Sequence, residues 1–336
     1  MKAPVFKGVG KPLVIETLPD PTPAAGEIVL EVARCGICGT DLHMTDGHAQ
    51  TYPANVVIGH EFAGEVVAIG PNVTTFKIGD RVAAMPVVGC GHCSNCLAGE
   101  TMWCDSGLNG ILGGFGQYAI ARAHAAIKLP TTLSTNDGAL VEPLAVSLHG
   151  VALAELKPGA RVLVQGAGPI GLGCVFWARH LGAGRVVVTS RSRRGESLAL
   201  QMGAAAFVTA GEDISAEVDA ALGGAPEVVF ECVGVPGQLG QAINLVRARG
   251  TVVLLGNCMA PDAIVPAQAM FKQVRIQGSM VYSLKEFETV ADVLDSGGVD
   301  PRVMVTDTIG YAALPEMFEA LRKPTTQCKV MIDPRA

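Results

Sequence analysis

Along the second half of the chain, short apolar runs alternate with stretches whose apolar positions recur at helical spacing. Arg161–Gln165, Arg185–Thr189, Glu227–Glu231 and Thr251–Leu255 read as buried strands, and Pro169–Leu181 and Ser197–Met202 as helices. Strands separated by helices need crossover connections, so this half predicts a doubly wound parallel α/β sheet. The first third has a different rhythm. Glu27–Ala33, Gly64–Ile69, Arg81–Met85 and Gln117–Arg122 are short strands punctuated by Pro and Gly, which suits an antiparallel, partly barrel-like β domain. Between the halves, Ala139–Ala154 is an apolar helical stretch leading to the turn Lys157-Pro158-Gly159. From Lys285 come two amphipathic stretches and a last strand, Lys329–Ile332, expected to return to the first domain. No low-complexity segment and no fixed-period repeat is visible.

Composition narrows this picture. A chain of 336 residues exceeds what one core usually serves, so two domains are expected. With 49% hydrophobic and 17% charged residues it has ample core material and no signature of disorder. A net charge of -6 leaves no electrostatic footprint for nucleic acid or an anionic membrane. There is no apolar run of about 18 residues for a membrane span. Met1–Val9 has no secretory-signal pattern, which points to the cytoplasm. In that reducing setting the 10 cysteines read as metal ligands or reactive groups rather than a disulfide framework.

Four of them are clustered. Cys90, Cys93 and Cys96 lie two residues apart within Gly-Cys-Gly-His-Cys-Ser-Asn-Cys, and Trp103-Cys104 follows. Such spacing folds successive thiolates onto one soft tetrahedral cation, with zinc favoured; spacing alone also permits an iron–sulfur cluster. Four sulfurs leave no open position, so the role is structural, and His92 between them is expected to face solvent.

A second constellation mixes ligand types: Cys35-Gly-Ile-Cys-Gly-Thr-Asp-Leu-His43, then Gly59-His-Glu-Phe-Ala-Gly64. Mixed ligation with a free position is what a catalytic zinc requires. Downstream, Val162-Leu-Val-Gln-Gly-Ala-Gly-Pro-Ile-Gly171 is a strand followed by Gly-x-Gly-x-x-Gly at a helix start. Gly166 permits the tight turn, Gly168 lets a pyrophosphate approach the backbone, and Gly171 lets helix pack on strand. Together, these motifs resemble the zinc-dependent medium-chain alcohol dehydrogenases over essentially the whole chain.

The resemblance implies a Rossmann doubly wound domain at 145–282 and a mainly β, GroES-like catalytic domain at 1–144 and 283–336. By position, Cys38 and His60 match the family's catalytic zinc ligands. Glu61 matches a carboxylate that ligates directly or sits just behind the metal. Val141-Glu142-Pro143 matches the variable last ligand and places the chain nearest the sorbitol and threonine dehydrogenase branch. A Glu in an apolar helix start also needs a metal or hydrogen-bond partner on its own account. Thr40 and His43 match the proton relay. Asp41 is either a partner of the ligand histidine or an Asx-turn residue, and Cys35 either a spare ligand or a small buried hydrophobe. Pro169, Ile170, Val233 and Gly256 fall at coenzyme-contacting positions. His48, His124, His149 and His180 carry no assigned function.

The end of the second Rossmann strand bears on the coenzyme. Where NAD-binding proteins usually place an acid, this chain has Ser190 and Arg191, then Arg193 and Arg194. That favours NADP(H) over NAD(H), because guanidinium can grip the 2′-phosphate. The expected enzyme binds two zinc ions and interconverts an alcohol, preferentially secondary, and its ketone or aldehyde. An NAD-dependent polyol or threonine-type dehydrogenase is the alternative, and a non-catalytic zinc- and nucleotide-binding module a remoter one. Val281 replaces an Arg typical of sorbitol-type relatives. Phe115, Tyr52 and Tyr282 are candidates for an apolar substrate pocket, each equally readable as core. A homodimer or homotetramer is expected by resemblance, with Thr251–Leu255 and Gln273–Gln277 as the sheet edge for subunit pairing.

Overall fold

A computed structural model describes residues 1–47, 50–107, 109–296 and 299–336. His48 lies outside the described residues. The chain forms two compact units: Met1–Glu142 with Tyr282–Gly297 and Val305–Ala336, and Pro143–Val281 with Gly298–Met304.

The first unit is built around the strand Glu27–Gly36, whose run Glu-Ile-Val-Leu-Glu-Val-Ala-Arg-Cys-Gly is buried along most of its length. Burial on both faces follows from its central place. It pairs antiparallel with Glu61–Ile69, Tyr118–Arg122 and the terminal Lys329–Ile332. The tail thus returns as its pattern predicts. The last two strands, Val305–Ile309 and Lys329–Ile332, are parallel, which adds a parallel pair to the antiparallel domain expected from the first third of the chain. The helix Leu314–Ala320 lies between them in sequence and supplies the crossover that parallel neighbours need. Ile28, Leu30, Val32, Phe62, Phe115, Phe318 and Val330 form part of its core.

Two register shifts in the pairing with Glu61–Ile69, near Val29/Leu30 and Val32/Arg34, bring Gly36 opposite Glu61. Bulges of this kind re-aim side chains at the end of a strand. A small sheet, Val14–Thr17, Lys2–Phe6 and Val56–Val57, has no counterpart in the sequence-based expectation.

The second unit holds a six-stranded sheet in which every neighbour is parallel. Its order is Ala206–Thr209, Arg185–Ser190, Arg161–Gln165, Val228–Glu231, Thr251–Leu254, Arg275–Gly278. Val162, Leu163, Val164, Val186, Val187, Val188, Val229, Phe230, Val252 and Val253 are buried, as strands covered on both faces must be. Strand order reverses between Arg161–Gln165 and Val228–Glu231, the switch point at which such sheets bind ligands. One expectation needs correction: Thr251–Leu254 is paired on both sides, so of the two segments expected at an edge Arg275–Gly278 is the one that lies there, Ala206–Thr209 forming the opposite edge. Among the described residues no helix is long and apolar enough to cross a membrane.

Candidate metal centres and dinucleotide site

The cysteine lobe is shaped by local hydrogen bonds. Cys90, Cys93, Cys96 and Cys104 place their sulfurs within 4.8 Å of one another. The amides of Cys90, Cys93 and Cys96 point at the sulfurs of Cys104, Cys90 and Cys93, at 3.2, 3.3 and 3.5 Å. The His92 and Cys93 amides draw the Cys90 thiol down to about 6. Cys96 moves the other way: the Gly91 amide favours its thiolate, but burial and the neighbouring sulfurs outweigh that and push it up to about 12. Four adjacent sulfurs cannot all ionise without a cation among them, so the donor set fits a soft metal. His92 is exposed, its Nδ1 2.9 Å from the Cys90 carbonyl.

The second cluster is assembled from distant segments. Cys38 caps the short helix Gly39–His43, His60 directly precedes the strand Glu61–Ile69, and Glu61 opens it. Ligand atoms of Cys38, His60 and Glu61 lie within 4.8 Å of one another. Asp41, fully buried, binds this cluster together. Its Oδ1 is 3.2 Å from His60 Nδ1, which leaves Nε2 as the ring's available ligand atom, and its Oδ2 accepts the Cys38 amide at 3.1 Å. Asp41 is therefore the partner of the histidine, and its local role is that of the third residue of a capping box with Cys38 rather than an Asx-turn. Tyr52 also donates to Asp41 Oδ1, at 3.4 Å. Burial alone would lower the His60 pKa, but the adjacent Asp41 and Cys38 charges outweigh it and hold the ring well above its ordinary value.

Glu61 has a partner that sequence reasoning missed. Lys329 Nζ lies 2.7 and 2.6 Å from its two carboxylate oxygens and donates to the Ile37 carbonyl at 3.2 Å, in a fully buried ion pair. The pair occupies the space beside Gly36, where an added Cβ would fall 2.0 Å from Glu61 Oε2. The only sequence signal was one lysine heading the otherwise apolar strand Lys-Val-Met-Ile.

Glu142, at the start of the helix Val141–Leu153, stands outside the 4.8 Å cluster. Tyr282 donates to its Oε1 at 2.9 Å. Burial, and then the charge of Glu61, push the Glu142 carboxyl up to about 7. Val281, directly before Tyr282, has φ 61°, a conformation costly for a β-branched residue. Thr40 is exposed, and the His43 side chain is 76% exposed with Nδ1 3.7 Å from Asp46. Cys35 is buried in the core rather than with the ligands. The aromatic candidates are also spoken for. Phe115 is core, edge-on to Phe318 and packed on Gly59, where an added Cβ would meet its ring at 2.1 Å. Tyr52 serves Asp41 and Tyr282 serves Glu142, so none of the three is an uncommitted substrate wall.

In the second unit, Gly166 turns with φ 100° at the end of its strand, and Pro169–His180 follows. A Cβ at Gly171 would lie 2.0 Å from the Gly166 carbonyl, so only glycine fits. A Cβ at Gly168 would meet nothing within 4 Å, which is the room a phosphate group needs beside the helix N-terminus. Val233 packs 3.1 Å from the position a Gly166 Cβ would take, and Gly256 lies against Gly234. The Glu231 carboxylate ties the intervening turn by accepting the Val233 and Gly234 amides at 2.6 and 2.9 Å. Ser190 ends its strand half-buried; Arg191 and Arg194 are exposed, while Arg193 is bound to Glu196.

A cluster of mixed metal-ligand side chains and a dinucleotide fold define a class, and comparison with known proteins identifies it. Residues 24–131 match the alcohol dehydrogenase GroES-like domain and residues 169–296 the zinc-binding dehydrogenase family. The chain belongs to the zinc-dependent medium-chain alcohol dehydrogenases and is an oxidoreductase of that family. It is 32% identical to a sorbitol dehydrogenase of Bacillus subtilis over 99% of this chain and 97% of that one. A protein assigned as a zinc-binding dehydrogenase from Sinorhizobium meliloti, bound to NADP, superposes with a TM-score of 0.89 at 32% identity, covering 99% of both chains. An alcohol dehydrogenase of Escherichia coli complexed with NADH superposes with a TM-score of 0.91 at 29% identity, again covering 99% of both.

Proposed function

We propose that this enzyme interconverts a secondary alcohol and its ketone using NADP(H), with one catalytic and one structural zinc per chain. The observation that carries this reading is the partly buried Cys38–His60–Glu61 cluster with its Asp41 and Lys329 partners. Zinc and nicotinamide, when bound, supply Lewis acidity and a hydride acceptor. The chain's own residues do the rest. Cys38 and His60 hold the metal, with Glu61 or Glu142 completing the set and Asp41 fixing the imidazole. Thr40 takes the proton the alcohol loses, and the solvent-facing His43 passes it to water. Cys90, Cys93, Cys96 and Cys104 hold the structural ion.

On the coenzyme side, Gly166, Gly168, Pro169, Ile170 and Gly171 cradle the pyrophosphate, with Val233 and Gly256 bordering it. Ser190 and Arg191 receive the 2′-phosphate. Arg193 is engaged by Glu196, so Arg194 rather than Arg193 is the second guanidinium for that phosphate. A polyol-type, NAD-linked activity is the second reading, favoured by the likeness to sorbitol dehydrogenase and to an NADH-bound structure. Titration with NADPH and NADH, followed by nicotinamide fluorescence, separates them. Tighter NADPH binding is expected, and Ser190→Asp should shift the preference towards NADH by about tenfold or more, as one charged contact would. Equal or tighter NADH binding by the unaltered protein would overturn the coenzyme assignment. The free strand Arg275–Gly278, beside Met270 (64% exposed) and Phe271 (80% exposed), supports a homodimer or homotetramer. All ten cysteines are free, which suits a cytoplasmic enzyme.

A further inference from the structure

Two thiols outside both metal clusters face each other in the dinucleotide unit. Cys174, fully buried on the helix Pro169–His180, lies with its sulfur 3.9 Å from that of Cys232, which directly follows the strand Val228–Glu231 and is half-buried. We propose that Cys174 and Cys232 form a modification site, a dithiol that a peroxide-class oxidant closes to an intrachain disulfide, and that this bond weakens coenzyme binding.

The chemistry balances within the pair. Cys232, the less buried residue of the two, takes one oxygen from hydrogen peroxide to become a sulfenic acid, and the other oxygen leaves as water. The Cys174 sulfur then displaces the hydroxyl, the S–S bond forms, and a second water departs. Each sulfur gives up one electron, and the peroxide is fully reduced. The Cys174 thiol and burial hold the Cys232 thiol well above its ordinary value, so closure is slow near neutrality and faster in alkali.

The consequence follows from what Cys232 touches. Its amide donates to the Gln165 carbonyl at 3.0 Å, one residue before the fingerprint turn. Its carbonyl group packs against Gly166, 3.3 Å from where a Cβ there would lie. Val233 and Gly234 beyond it are bound to Glu231. Closing the sulfurs from 3.9 Å to a bond of about 2.05 Å therefore pulls the Cys232–Gly234 turn towards the helix and shifts the wall facing Gly166. The coupling rests on the coenzyme reading given above. By reciprocity, bound coenzyme must oppose the disulfide by the factor with which the disulfide opposes coenzyme.

The test treats the zinc-loaded protein with hydrogen peroxide at mildly alkaline pH, with and without NADPH, and follows it by peptide mass mapping and NADPH titration. The expected result is a linked Cys174–Cys232 peptide lacking two hydrogens. The NADPH Kd should rise about fivefold or more, recover with dithiothreitol, and closure should be slower when NADPH is bound. Cys174→Ala should bind NADPH normally before treatment and keep that affinity afterwards. Oxidation of Cys232 to sulfinic acid without linkage would overturn the site. Linkage without a change in Kd, or an equal loss of affinity in Cys174→Ala, would overturn the coupling. Linkage in a protein whose reduced form binds neither nucleotide would refute the coenzyme reading and the coupling while upholding the thiol site.

Discussion

The cysteine lobe and the Cys38 cluster each bring together side chains that could hold a cation, and they do so in opposite ways. In the lobe, four sulfurs come from one stretch, Cys90–Cys104, and the same loop supplies the amides that favour their thiolates. Cys90, Cys93 and Cys96 are only partly buried. The Cys38 cluster draws its ligands from a helix cap and a strand start, and its supporting groups from Lys329, Tyr282 and Asp41. A closed site satisfies the metal with its own ligands. An open one must leave a position vacant for substrate, so the scaffold has to hold every remaining charge in place. With Cys38, Asp41, Glu61 and Glu142 ionised, a divalent ion and the Lys329 ammonium together offset most of the centre's negative charge. In the lobe, the excess charge of four thiolates over one divalent ion is eased by backbone amides.

The sharpest way to separate the two regions is to remove one ligand from the open centre. His60→Ala should lower kcat/KM by about a thousandfold, the worth of several kcal/mol of Lewis-acid stabilisation. Metal analysis should then find one zinc per chain instead of two; a variant retaining both ions and full turnover would end the catalytic assignment. Next in size is Lys329→Met, which strands a buried carboxylate. Unfolding in denaturant should show a loss of about 3–5 kcal/mol, and an unchanged midpoint would mean the ion pair does not support the centre. The matching change in the lobe, Cys96→Ser, should also release one zinc. Here the melting temperature should fall by about 5–10 °C while turnover of the folded enzyme stays within about twofold, and a collapse of turnover at constant stability would contradict the division of roles.

The smallest effect concerns Glu142 in metal-stripped protein. Its carboxyl is raised from 4.5 to about 7 in the fold, so the folded state binds a proton that the unfolded chain has released. That contribution to stability is fully present below 4.5 and is lost as pH rises through about 7. Glu142→Gln should flatten the dependence, measured as the unfolding free energy at pH 5 and pH 8 without metal. Identical slopes in both proteins would show that Glu142 is not the group concerned.

Residues whose chemistry is local were legible before any coordinates. The spacing of Cys90, Cys93, Cys96 and Cys104, the placement of Gly166, Gly168 and Gly171 after an apolar strand, and the need of Glu142 for a partner could all be read directly. Short or mixed-pattern elements were not: Lys2–Phe6 and Ala206–Thr209 lack a run long enough to stand out. Phe115 shows the opposite failure, an aromatic plausible as pocket lining that the fold spends on packing against Gly59 and Phe318.

The chain's residue order by itself determined the class of protein, the ligand types and the fingerprint turn, because each depends on neighbours a few positions apart. Only the tertiary structure decided that Lys329 neutralises Glu61 across 268 residues and that Tyr282 holds Glu142 across 140. It also decided that Cys174 meets Cys232 across 58. Such pairings are set by strand register and helix packing, and the physical cost of burying an unpaired charge says that a partner must exist without saying where in the chain it lies.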